Sequence, residues 1–389
     1  MAVGHSDDID FEAALAAVLD ECEAGLDGAT PTAAFLLAAW ESDHAAILRA
    51  VHGRFPGIEI VGSSTSGEMS SVLGLVEDSI VLAVFASDTV DITGGLGRDL
   101  AVDPAGAVGR AVEQARSKTD KSPALCIAFP TIGVVDATAM LAALRAALGP
   151  GVPILGGGAS PQDPVANPAA TSGAQMVNDE VTDGGIAVLL FSGPLAFSYG
   201  VETGWRGVGP RATVTSIVDG RIHEIDHQPA IEFFDRYLGT SASGPPIANP
   251  LAVFETPMST DFFLRTATVL DRETGDVSTF GPMPEGATVQ LTVAGFDEIM
   301  EGVRTSISSA LRTFPAGSTP DAALLYSCAT RRFLLGTRAR HEIELVQELV
   351  GRDVPIAGFY CLGEIAPLPA ADISQFHNAT VVSVLLGAP

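Results

Sequence analysis

The chain is nearly without lysine. Among its 389 residues only Lys118 and Lys121 are of that type, and Lys and Arg together number 21 against 47 Asp and Glu. The resulting net charge of −26 repels nucleic-acid phosphates and anionic lipid, so both are excluded as expected partners. Charged residues make up only 17% and apolar ones 47%, a balance foreign to disordered chains. No apolar run approaches the roughly 18 residues of a membrane span, and the acidic start, Met1 to Asp10, lacks the basic opening of a secretion signal. Cysteine is scarce: Cys22, Cys126, Cys328 and Cys361 form no CxxC pair and no zinc spacing. A cytoplasmic protein with free thiols and no metal or other cofactor is the expectation.

What is present is an internal repeat. Three apolar stretches, AAFLLA (33–38), ALCIAF (124–129) and ALLYSC (323–328), are each followed by a helical period, as in Ile47, Leu48 and Val51 or Leu141, Leu144 and Leu148. Each helix leads to a second apolar strand, GIEIVG (57–62), VPILGG (152–157) or VPIAGF (354–359), then a loop and a third strand at 80–87, 186–193 or 381–388. Continuous apolar strands joined by a helix-length crossover read as buried, parallel βαβ units. The expected fold is therefore α/β, made of repeated βαβ-type units in mixed, largely parallel sheets, with an antiparallel or mixed edge where the third strand joins. Residues 214–226 with Asp219-Gly220, and 266–281 with Thr274-Gly275, add a β-rich hairpin insert, and 227–239 reads as a helix ended by Gly239.

Aligning Gly62, Gly156 and Gly358 places Glu68, Gln162 and Glu364 at one offset, with Gly67 and Gly363 before the two acids. Loops at the carboxyl ends of strands are where open α/β sheets bind ligands, and glycine there admits close backbone approach. The hydroxyls of Ser63, Ser64, Thr65 and Ser66 crowd the first exit. They lack the Lys and spacing of a phosphate loop, so nucleotide binding is not expected. A zwitterionic ligand needs an anion and a cation. Glu68 and Glu364 are the candidate ammonium acceptors, and Arg265 and Arg331 the candidate carboxylate clamps. The bland alternative for both arginines is a structural ion pair. Cys328 and Cys361 end two strands expected to be parallel neighbours near Glu364. With His377 as base they define a rival reading, a cysteine-dependent enzyme; the commoner role of such residues is a small buried thiol and a turn residue. His223 and His227 read as a solvated strand face.

The ordered set of PGIEIVGSSTSGEM, DGRIHEIDHQPAIEFFDRYLG, LRTATVLDRETGDVSTFGPMPEGATVQL, LLYSCATRRFLLG and VPIAGFYCLGEIAPL resembles the FIST family. The first string is similar to that family's "GCSTAGEI" pattern, with Ser63 where Cys is frequent; His227 stands where Gly or Asn is frequent at the join. The resemblance implies a FIST N-terminal-like domain over 1–228 and a FIST C-terminal-like domain over 229–389. It implies a sensory, signal-transducing protein that binds a small ligand such as an amino acid, without catalysis. The two parts consume the sequence, so a separate signalling partner is expected. The other open reading is a ligand-free interaction scaffold.

Overall fold

The structure is a computed structural model and describes residues 1–133, 135–161, 173–239, 246–254, 256–368 and 373–389. Three units follow one plan. Each opens with an edge strand: Ala2–Ser6, Asp91–Gly97 or Ala196–Glu202. A covering helix comes next (Phe11–Gly25, Pro104–Arg116, Phe296–Thr313), then the first strand (Ala33–Ala39, Pro123–Pro130, Ala322–Cys328). A crossover helix (His44–Arg54, Ala137–Leu148, Arg340–Val350) leads to the second strand (Glu59–Thr65, Ile154–Gly157, Ile356–Cys361). The closing strands are Ile80–Phe85, Ile186–Ser192 and Val381–Gly387. The acidic excess has a local use here. Asp10, Asp43, Asp103 and Asp136 accept backbone N–H groups at the starts of four of these helices, each cap being worth about 1 kcal/mol.

The sheets are mostly antiparallel, which corrects the expectation of largely parallel ones. Among the described residues the parallel pairings are the three between first and second strands. The closing strand does not sit at an edge. It lies antiparallel between the first strand and the edge strand, as in the order β(2–6), β(80–85), β(33–39), β(59–65). The reason is the return path: without a crossover helix the chain turns back beside its neighbour, and only an antiparallel strand fits there.

Between second and closing strands each unit sends out a short hairpin, and the hairpins are exchanged in a ring. Glu68–Ser70 of unit one pairs with Ile356–Cys361 of unit three. Glu364–Pro367 of unit three pairs with Ile154–Gly157 of unit two. Gln175–Val177 of unit two pairs with Glu59–Thr65 of unit one. Each six-stranded sheet is thus completed by a neighbour, an arrangement with threefold pseudosymmetry. The inner faces of all three sheets meet in one core, where Phe35 stacks on Phe129 at 4.8 Å and Tyr326 meets Phe359 edge-on at 5.7 Å. The helices cover the outer faces. Register-equivalent glycines permit this cover. A Cβ at Gly4, Gly95 or Gly200 would lie 2.2, 1.9 or 1.9 Å from a carbonyl oxygen of the helix above.

Tyr326 Oη is buried in this core with no hydrogen-bond partner among the described residues. Replacing Tyr326 by Phe removes an unmet polar group while keeping the ring. The expected outcome is a gain of about 1–2 kcal/mol in a urea melt.

The β-rich insert interrupts unit three between its edge strand and covering helix. Its strand order runs from Phe262–Arg265 at one end of the sheet to Ala267–Leu270 at the other, through Leu251–Phe254, Thr288–Val293, Arg206–Val218, Arg221–Ile225 and Val277–Thr279. The two end strands are consecutive in the chain, separated by Thr266, so the sheet curls into a nearly closed antiparallel barrel. Its Asp219-Gly220 turn has φ of +48° and +75°, as a two-residue hairpin requires, and the expected helix spans Ala230–Leu238. No helix among the described residues is long and apolar enough to cross a membrane.

Candidate functional site

The strand exits interlock. Ser66 N–H donates to Tyr360 O at 2.9 Å, Leu362 N–H to Gly158 O at 3.0 Å, and Ser160 N–H to Ser64 O at 3.0 Å. These three bonds run from unit to unit, and they bring the first and third exits into contact. Ser64 Oγ donates to Ser160 O at 2.7 Å and accepts Ala174 N–H at 2.8 Å, while Ser63 Oγ bonds to Ser64 O. Arg332, from helix Ala329–Leu335, donates to Ser66 O and pairs with Glu77.

Each exchanged strand begins with a caged side chain. Glu68 is fully buried. Its Oε1 accepts from Thr65 Oγ1, and its Oε2 accepts the hydroxyl (2.7 Å) and N–H (3.2 Å) of Ser79, the residue before the closing strand. Glu364 is also fully buried. Its Oε1 accepts from Cys361 Sγ at 3.4 Å, and its Oε2 accepts the hydroxyl (2.6 Å) and N–H (3.1 Å) of Thr380, again the residue before the closing strand. Both cages consist of neutral donors, and neither Glu has a cation within ion-pair distance among the described residues. Burial pushes each carboxyl up to about 7 against the pull of those hydrogen bonds.

The second unit holds the same position with an amide. Gln175 faces Ser63 as Glu68 faces Phe359 and Glu364 faces Gly157. Its Oε1 accepts Gly185 N–H at 3.0 Å, and its Nε2 donates to Thr131 Oγ1 at 3.0 Å and Gly173 O at 2.8 Å. Gln162, singled out by its offset from Gly156, lies outside the described residues. The functional counterpart was missed because the loop of unit two is thirteen residues longer (175 − 162). Its signal is the residue eleven to seventeen positions before the closing strand, not six after the glycine.

Most third-unit candidates gather at the Glu364 cage. Cys328 and Cys361 are register partners on parallel strands. Burial pushes the Cys328 thiol up to about 12, and Cys361 rises as well, with nearby Glu364 adding to both. His377 pairs in register with Glu364. Its Nε2 lies 2.9 Å from Ala366 O, and burial holds the ring down at about 4, hence neutral. Gly363 has φ +72°, and a Cβ there would meet the Phe376 ring at 2.4 Å; Gly67 has φ +136°. Their own turns account for both glycines.

The two arginines differ. Arg331 stands apart from the cages. Fully buried, it donates Nε (2.9 Å) and Nη2 (2.7 Å) to Glu342 Oε1 and caps Thr203 O and Ile299 O. That is the structural ion pair. Arg265 has none among the described residues: it donates to Pro282 O, Leu264 O and Phe376 O, each at 3.0 Å, beside the Glu364 hairpin. His223 Nδ1 sits 2.7 Å from Asp276 Oδ1 in the barrel, far along the chain from the cages.

These features define a three-unit α/β protein whose units are bound by exchanged strands, two of which start on buried acids and one on a buried amide. The chain belongs to the FIST family: residues 32–228 match the FIST N domain and residues 230–367 the FIST C domain. Curated relatives include an uncharacterized protein of Mycobacterium bovis, 30% identical over 129 residues, which are 33% of this chain and 32% of that protein. A further uncharacterized protein, of Mycobacterium tuberculosis, is 28% identical over 32% of this chain and 30% of its own. The matched stretch thus spans about a third of each relative's length. Among solved structures, PurLQS from Thermotoga maritima gives a TM-score of 0.23 at 12% identity, covering 100% of this chain and 72% of the other. PurL from the same organism complexed with FGAR gives 0.22 at 12% over 99% and 72%. Likeness that slight carries no argument.

Proposed function

We propose that this FIST protein is a cytoplasmic sensor of a small, ammonium-bearing ligand, an amino acid or similar metabolite, which passes its signal to a separate protein. One observation carries the reading: two fully buried carboxyls, each held, among the described residues, by neutral donors alone. The other fully buried glutamate among the described residues, Glu342, is neutralised by Arg331. An uncompensated buried carboxylate is costly, and a ligand ammonium supplies the missing charge. Because Glu68 and Glu364 begin strands that complete a neighbouring unit's sheet, a changed cage acts on two units at once.

The test is a thermal-shift panel of free amino acids and simple amines at pH 8, where both carboxyls are largely ionised. A ligand that binds the native state raises the melting temperature. The expected shift disappears in Glu364→Gln or Glu68→Gln; silence across the panel overturns the reading. The cysteine-enzyme reading makes the opposite demand on the thiols. With Cys328 and Cys361 buried and shifted upward, iodoacetamide at pH 7 should leave both unlabelled until the protein is unfolded. Rapid labelling of either in the folded protein would restore the enzyme.

A further inference from the structure

The barrel insert meets unit three at a guanidinium that lacks a counter-anion. Arg265 is 6% exposed. Its Nε and Nη1 are spent on three carbonyls, Pro282 O and Leu264 O of the insert and Phe376 O of the exchanged hairpin. Its Nη2 group has no acceptor among the described residues. The adjacent Thr266 Oγ1 is buried with no partner there. Phe263 lies 4.4 Å from the guanidinium carbon and Phe376 5.7 Å. The chain has 47 acidic side chains, yet among the described residues none comes within ion-pair distance of this one. Carbonyl dipoles orient a buried cation but do not cancel its charge. Desolvation accordingly pulls the Arg265 pKa down to about 10, still charged at neutral pH.

We infer that the seam between the barrel insert and the third unit is an anion site, in which Arg265 Nη2 and Thr266 Oγ1 take the carboxylate of a small monoanion. The inference rests on the sensory reading and names the anionic end of its ligand. Carboxylate is favoured over phosphate by the surroundings. One guanidinium edge beside two phenyl rings, with one hydroxyl on the next residue, suits a singly charged group carried on an apolar body, whereas a dianion needs more cations than are present. The site joins the insert to the hairpin that carries Glu364, since Phe376 and His377 are neighbours and His377 faces Glu364. Occupation therefore couples the barrel to the cage.

The experiment is isothermal titration of acetate, benzoate, 3-phenylpropionate, inorganic phosphate and, separately, methylamine into the full chain. Wild-type protein should bind the aromatic carboxylates saturably and phosphate at least tenfold more weakly. Arg265→Gln should abolish carboxylate binding, and Arg265→Lys, which keeps charge but loses the planar fork, should weaken it about tenfold; circular dichroism checks that both fold. If Arg265→Gln fails to fold, Arg265→Lys and Thr266→Val carry the test. Carboxylate binding unchanged in these variants, or absent in wild type, overturns the site. Amine binding that is lost in Glu364→Gln while carboxylates do nothing sinks the anion site and leaves the sensory reading standing. Carboxylate binding at Arg265 with no amine binding does the reverse.

Discussion

Replacing Glu68 by Gln should make the protein more stable at pH 8 and remove one falling component from its stability profile between pH 4.5 and 7. The folded-state pKa is raised from 4.5 to about 7, so the native protein holds this proton more tightly than the unfolded chain does. The contribution is complete below the unfolded value of 4.5, declines as pH rises towards 7, and is gone above that. For Glu68 the difference amounts to roughly 3 kcal/mol. Gln carries no such dependence. It also fits: Gln175 already occupies the equivalent place, accepting the N–H that precedes its closing strand and donating to Thr131. The Thr65 and Ser79 hydroxyls can turn to accept from the new amide. Urea melts across pH give the measurement. A slope in Glu68→Gln equal to that of wild type would assign the titration elsewhere. Glu364→Gln should act in the same direction. Ser79 also lies 2.9 Å from His5 Nε2, and His5 Nδ1 lies 2.7 Å from Ser70 Oγ. Burial holds His5 at about 4, below the ordinary imidazole value, so His5 adds a slope of opposite sign over this window; it is common to wild type and Glu68→Gln, and the difference between their profiles reads the carboxyl.

The opposite effect is expected at Glu342. Its carboxylate accepts Arg331 Nε and Nη2, Ser327 Oγ at 2.8 Å and Tyr360 Oη at 2.5 Å, all within the core of unit three. Glu342→Ala leaves Arg331 buried and unpaired and should cost about 3–5 kcal/mol. The combined change Arg331→Met with Glu342→Leu should recover most of that loss, because two apolar side chains of similar volume demand no compensation. Equilibrium unfolding of the three variants is decisive. A mild Glu342→Ala would mean that the ion pair is hydrated and the core looser than described.

The units were legible because strands buried on both faces must be apolar throughout, and AAFLLA, ALCIAF and ALLYSC are. The adjacency of Cys328 and Cys361 followed from the parallel crossover for the same reason. The exchange was not legible. Glu68–Ser70 and Gln175–Val177 are three residues long, too short to show an alternating period, and their partners lie in other units. The edge strands escaped notice too: AVGHS and DITGGLG are short or glycine-rich because a helix presses on them. The insert's hairpins were plain from Asp219-Gly220, but barrel closure depends on Thr266 joining the two end strands, which no local pattern states. At the site, the residue types at the exits stood out while their partners did not. Ser79 and Thr380 precede the closing strands and carry no signature until the cages are assembled.

The account turns on the state of two buried carboxyl groups, and carbon-13 NMR of the glutamate side-chain carboxyls over pH 4 to 9 reads them directly. Two resonances should titrate near pH 7, one vanishing in Glu68→Gln and the other in Glu364→Gln. If both instead titrate in the ordinary range near 4.5, with carboxylates present throughout neutral pH, the cages are compensated by something else and the proposed vacancy for a cation does not exist.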